Sequence, residues 1–290
     1  TGNFGGYTYD TGFYGQDLMT FGRHIRVLAG VRQDVFRYHD HDVVLDTTTL
    51  LHQSAFSPRV GVVYQPLPSV SLYANYATSF NPQQGVVLLN GAYPTPSRGR
   101  QVEAGVKWSK STRWTASADV FRIRKTNVAN SVPGNPDFSQ LTGEEESQGF
   151  ELDGTFTVRR GLVLRANFAD LKAIVTEDTL IPVGSRLLNV PRLQGTLWAE
   201  GDIPHTPLSA GFGWFAVGQR DATLPNTNLI PSYNRFDAAL YWRVRPGLKL
   251  QANVQNVGNS RYYTSQDYSL YPGAPINAVL GLHWTPQRNH

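Results

Sequence analysis

The sequence predicts an all-β protein, a transmembrane antiparallel β-barrel. Three observations carry this reading. Apolar and polar residues alternate with period two along most of the 290 residues. No stretch approaches the roughly 20 apolar residues that a membrane helix needs, whereas a barrel strand needs only about 9 to 11 of alternating character. Links between the alternating segments are short and long in strict turn. Composition agrees: charged residues make up 17% of the chain, below the roughly 25% usual for soluble domains. With 14 Tyr and 27 Gly, the chain favours strands and turns over helices.

The candidate strands, in order, are 11–20, 25–38, 54–65, 69–79, 99–109, 112–126, 146–158, 162–172, 190–201, 207–218, 233–243, 247–254 and 276–285. In the second, Ile25, Val27, Ala29 and Val31 alternate with Arg26, Leu28, Gly30 and Arg32. Within "VSLYANYATSF", Val70, Leu72, Ala74, Tyr76 and Phe80 alternate with Ser71, Tyr73, Asn75, Ala77 and Ser79, and a strand puts such sets on opposite faces. Val102, Ala104, Val106 and Trp108 repeat the pattern, which weakens through "VFRIRKTN" and returns with Leu162, Leu164, Ala166 and Phe168. It is cleanest near the end, in Phe236, Ala238, Leu240 and Trp242, then Leu248, Leu250, Ala252 and Val254.

The links "FGRH", "QPLP", "SKST", "VRRG", "DIPHT" and "RVRPG" are tight, whereas 39–53, 80–98, 127–145, 173–189, 219–232 and 255–275 are long and rich in Asn, Pro, Gly, Asp and Thr. Antiparallel pairing of neighbours then puts every short turn at one end and every long loop at the other, as in an outer-membrane barrel. A soluble sandwich, the alternative, needs crossovers that break this rhythm. Thirteen strands is an odd number, so either the count fails around residues 1–10 or earlier strands are missing. "TGNFGGYTYD" also lacks the basic start and apolar stretch of a signal peptide, as expected of a mature or partial chain.

"SPRVGVVYQPLPSVSLYANYATSFNP", "PSRGRQVEAGVKW", "TGEEESQGFELDG", "PSYNRFDAALYWRV" and "NVQNVGNSRYYTSQDYSLYPGAPINAVLGLHW" resemble the carboxy-terminal half of a TonB-dependent siderophore receptor, nearest the ferrichrome and hydroxamate type. The resemblance implies that residues 1–290 are about the last 13 strands of a 22-stranded barrel, its plug domain and energy-coupling box absent from this chain. It further implies outer-membrane localisation, a ferric siderophore as cargo, energy from the TonB complex through the missing amino-terminal region, and contact with outer-membrane lipid and lipopolysaccharide. A passive porin, or a relative carrying cobalamin or a sugar, are the alternatives. Two departures stand out: Trp284 is followed by "TPQRNH" where the family ends on an aromatic residue, and "NVGNSRYY" replaces the family's "NVFDKRYY".

No catalytic constellation and no cofactor motif is present, and a formal charge of +4 without a basic run gives nucleic acid no footing. "YHDHD", with His39, Asp40, His41 and Asp42, reads as a solvated loop or a divalent-metal cluster. Glu144, Glu145 and Glu146 read as a charged rim or a calcium site. Arg26, Arg32, Asp34, Arg59, Glu103, Lys107, Arg165, Glu200 and Arg235 are expected inside the barrel, and Trp108, Trp114, Trp214 and Trp242 at the membrane boundary. Candidate siderophore contacts are the loop aromatics Phe80, Tyr93, Phe138, Tyr262, Tyr263, Tyr268 and Tyr271, planar amphipathic rings suited to a bulky chelate whose metal is already wrapped.

Overall fold

The computed structural model describes residues 4–42, 46–83, 86–90, 92, 94–111, 113–132, 135–266 and 270–285. The chain runs through β1 (Phe4–Phe21), β2 (Ile25–Asp42), β3 (Thr47–Leu67), β4 (Val70–Asn81), β5 (Ser97–Ser111), β6 (Trp114–Val132), β7 (Asn135–Arg159), β8 (Leu162–Glu177), β9 (Leu193–Asp202) and β10 (Leu208–Val217). Then come β11 (Arg220–Asp221), β12 (Leu229–Ile230), β13 (Tyr233–Arg245), β14 (Leu248–Gln255), β15 (Tyr263–Gln266), β16 (Leu270–Pro272) and β17 (Asn277–Trp284). Thirteen of these, all but β11, β12, β15 and β16, form one continuous antiparallel sheet in chain order. The two remaining pairs are small ribbons in the connections between wall strands.

Cross-strand register fixes the faces. Val27, Val62, Ala74, Ala104, Val120 and Phe150 stand opposite one another across six strands, and the alternating apolar sets of the sequence all lie on that face. In the middle of the sheet, Val120 is 59% and Phe212 51% exposed. A sandwich would have covered them with a second layer, so the face is solvated by lipid. Trp108, Trp114, Trp214 and Trp242 are on it too. All nine charged residues expected inside share the opposite face, where Arg32 pairs with Asp34 at 2.7 Å, Arg165 with Glu200 at 3.7 Å and Arg235 with Asp237 at 2.9 Å. That face also takes large rings: Trp198 lies across β10 because Gly211 and Gly213 leave it room, a Cβ at either coming within 2.5 Å of the indole.

Two expected long loops are corrected. Residues 39–42 and 47–53 belong to β2 and β3, and 127–132 and 135–145 to β6 and β7, so these hairpins run on beyond the apolar band. The backbone ladder continues there while both faces are polar, and the alternation that marks a strand fades. At the start, β1 reaches back to Phe4, and the count of thirteen stands.

Loop 82–96 folds back over the polar face at the long-loop end. The Gln53 side-chain amide donates to Pro94 O (2.5 Å), Asn127 Nδ2 to Pro96 O (3.1 Å) and the Ser139 backbone amide to Val87 O (2.8 Å). Asp34, Phe36, Gln53 and Ala55, on the same face of β2 and β3, are buried at this end.

Orientation is directly testable, because the chain contains no cysteine. In intact cells, a cysteine introduced at Asn226 of the full-length receptor is expected to react with a membrane-impermeant maleimide. One at Pro68 or Pro246, in the short turns, is expected to stay unlabelled. Labelling at the turns would invert the assignment.

Candidate functional site

Three connections at the long-loop end, 178–192, 218–232 and 256–276, gather over the polar face of β13. Tyr233, Arg235 and Asp237 alternate onto that face, giving the loops a floor of ring, cation and carboxylate. Asp237 Oδ1 accepts from the Asn256 backbone amide at 2.9 Å and its Oδ2 from Arg235 Nη2 at 2.9 Å. Arg235 in turn lies 4.6 Å over the Phe215 ring.

Asn256 begins the last loop with φ 53° and is 1% exposed. Its side-chain amide donates to Ser260 O (2.9 Å) and Ala274 O (3.1 Å), and its Oδ1 accepts from Ser260 N (2.8 Å). One side chain thus ties both ends of the loop together. Asparagine suits the position because it tolerates the left-handed conformation. Tyr262 then stacks on Tyr233 with centroids 4.3 Å apart. Gly273 lies against the Tyr262 ring, where a Cβ would come within 2.3 Å of two ring carbons.

Arg220, 4% exposed, joins the second connection to the third. Its Nη1 donates to Thr264 O at 2.6 Å, its Nη2 to Tyr263 O at 2.7 Å, and its guanidinium lies 5.9 Å from the Tyr233 ring centre. The fork geometry of a guanidinium is what lets one side chain hold two adjacent carbonyls. Next to it, Asp221 pairs with Arg186 at 3.1 Å and accepts from Asn189 N at 3.0 Å, which draws in the first connection. Sequence reading passed over Arg220, and had Asn256 only within "NVGNSRYY".

This framework presents the β15–β16 ribbon, where Tyr263 is 39% and Tyr271 47% exposed. The other candidate contacts are placed differently. Tyr262 is buried beneath the ribbon, and Phe80 stands opposite Arg98 on the lipid-side face. Tyr93, Tyr268 and the Phe138 side chain lie outside the described residues.

The charged clusters resolve into packing and pairing. His39 and Asp40 point to opposite faces of β2, and His39 stacks on Tyr7 at 4.7 Å. His41 Nδ1 lies 3.2 Å from Thr48 Oγ1. Among the described residues no group of three ligating side chains could hold a metal ion. Glu144 and Glu146 bind Arg124 at 3.3 and 3.2 Å, and Glu145 faces Lys125 at 3.8 Å.

The site thus sits on a thirteen-stranded wall with one lipid-bathed face, one charged face and loops folded over the charged side. The family model "TonB dependent receptor-like, beta-barrel" matches residues 1–257. The chain belongs to that family. It is therefore part of an outer-membrane receptor barrel. The metal-pseudopaline receptor CntO of Pseudomonas aeruginosa is 33% identical over 282 residues, 92% of this chain and 39% of that protein. The ferrioxamine B receptor of Salmonella typhimurium is 29% identical, across 94% of this chain and 40% of its own length. The crystal structure of the siderophore receptor PiuA from Acinetobacter baumannii superposes with a TM-score of 0.85 at 22% identity, over 97% of this chain and 44% of that one. The chain spans about two-fifths of the length of these curated relatives.

Proposed function

We propose that the full-length receptor containing this chain binds a metal chelate on its long-loop face and imports it with energy delivered through TonB. The ribbon carrying Tyr263 and Tyr271, held open by Arg220 above a floor of buried rings, supports this reading. Rigid exposed aromatics on a fixed support suit a large, mostly organic cargo whose metal needs no ligand from the protein. Ferric hydroxamates are the first class to test, because relatives named for ferrioxamine B and ferrichrome align with 94% and 93% of the chain. The greater identity to a metal-pseudopaline receptor, 33%, adds metal–pseudopaline as a second class.

Binding measured on the full-length receptor against ferric hydroxamate, metal–pseudopaline, ferric catecholate and ferric citrate discriminates between these. One of the first two is expected to bind best. Truncating a ring that rests on the chelate costs roughly 1–3 kcal/mol, so Tyr263→Ala and Tyr271→Ala are each expected to weaken that ligand about tenfold at equal outer-membrane abundance. Unchanged affinity in both would remove the ribbon from the contact surface. Failure of every chelate, together with steady ion conductance, would favour a passive pore.

A further inference from the structure

We propose that the short-turn mouth of the lumen carries a second chelate site, a cationic cavity at the ends of β13, β14 and β17 that takes a chelate bearing a free carboxylate as it leaves the barrel. This rests on the import reading above and deepens it by naming the charge of the cargo, whatever groups wrap the metal. Arg243, Lys249 and His283 stand directly opposite one another in one row on the lumen-facing side. Arg245 follows in the turn, past the bulge that shifts the register between Arg243 and Arg245. With Gln251 and Thr285 these residues line a cavity of about 790 Å³, within the range of small-molecule sites.

Like charges directly opposite each other across strands repel, and this row is only partly compensated. Asp202 pairs with Arg243 at 3.3 Å and also accepts from the Ser209 hydroxyl at 2.7 Å. Lys249 Nζ lies 4.1 Å from the centre of the Tyr241 ring. Arg245 and His283 are exposed, and their side chains have no ionic or hydrogen-bond partner among the described residues. The cluster therefore offers a guanidinium fork, an ammonium and a ring N–H to an anion. The wall leading to it is matched. Between Asp237 and this row, the lumen-facing positions of β13, β14 and β17 are Ala239, Tyr241, Asn253, Gln251, Val279 and Gly281, none of them charged. On β5 to β7, by contrast, Glu103, Asp119, Glu151 and Asp153 face the lumen, with Asp119 directly opposite Glu151. An anion is repelled from the acidic wall and drawn along the uncharged one, at whose end the cations stand.

The test uses the full-length receptor in detergent, with both mouths open to solvent. A fluorophore is placed on Pro204→Cys, in the exposed β9–β10 turn beside β13, where bound ferric iron quenches its emission. The probes are a ferric trihydroxamate with a pendant carboxylate and its uncharged carboxamide analogue. Saturable quenching is expected with the first, at least about tenfold tighter than with the second and weakened by added salt. Arg245→Gln combined with Lys249→Gln is expected to weaken it at least about tenfold, whereas Arg245→Lys should keep most of it. Arg245→Gln alone, at an exposed turn position, gives the same readout with smaller amplitude should the double variant assemble poorly. Equal quenching by the two probes, quenching that survives the Gln variants, or no quenching of the native receptor overturns the mouth site. Outer-face binding, followed separately through Tyr263→Ala, keeps the two readings apart. Outer binding with an unresponsive label at residue 204 sinks the mouth site alone, and absence of chelate binding at both mouths sinks the import reading with it.

Discussion

Replacing Arg220 with alanine is expected to weaken chelate binding by the full-length receptor about tenfold to a hundredfold, with the barrel intact. Arg220 makes two charge-assisted bonds to the β15 carbonyls of Tyr263 and Thr264, and bonds of that kind are worth about 1.5–3 kcal/mol each. A two-stranded ribbon is marginal by itself. Without its anchor it spends most of its time displaced, and apparent affinity falls in proportion to the competent fraction. A loss of about 1.4–2.8 kcal/mol of anchoring corresponds to the stated range, some of the gross bond energy being returned by water at the freed carbonyls. Arg220→Lys cannot hold both carbonyls with the same fork and should fall in between. Hydrogen exchange at residues 263–266 should rise in parallel with the affinity loss. Unchanged affinity alongside faster exchange would detach the ribbon from ligand binding, and unchanged exchange would refute the anchor itself.

Asn256→Ala is expected to lower stability by roughly 3–5 kcal/mol, the largest single effect in the loop region. The substitution strands Ser260 N, Ser260 O and Ala274 O, three groups served by one side chain that is 1% exposed. An unsatisfied buried polar group costs about 1–3 kcal/mol, partly relieved if the loop opens to water. Alanine at φ 53° adds about 1–2 kcal/mol of backbone strain that glycine avoids. Asn256→Gly should therefore be milder than Asn256→Ala by about that amount. Urea unfolding of the folded barrel, followed by gel mobility, measures both, and equal stability of the two variants and wild type would remove Asn256 from its assigned role.

The wall was legible because a single sheet between lipid and a wet interior imposes a period of two on every strand, with nothing else buried to blur it. Thus the row from Val27 to Phe150 is visible as separate alternations before the register joins it. Legibility failed at 39–53 and 127–145, where polar residues stand on both faces and backbone pairing carries the strands on. The rim was half legible. "NVGNSRYY" drew notice for its tyrosines, and the Asn and Gly turn residues around Asn256 were a usable signal. Arg220 gave none: it bonds to main-chain oxygens 43 and 44 residues further on, and a carbonyl belongs to every residue type. Phe80 misled because its strand phase, which sends it to the lipid side beside Arg98, was outweighed by its nearness to a loop.

The fastening of the loops limits how such a receptor can acquire a new cargo. Arg186 and Asn226 exchange backbone–side-chain bonds of 2.6 and 2.8 Å, Asp221 pairs with Arg186, and Arg220 reaches the third connection. Segments 178–192, 218–232 and 256–276 are therefore linked through the middle one: a graft of 218–232 from a relative breaks partners in both others, and a graft of either outer segment breaks partners in the middle one. Loop 82–96 is held by Gln53, Asn127 and Ser139 instead. It is free to be exchanged singly, so cargo preference can drift by small steps on one side of the mouth and must change wholesale on the other.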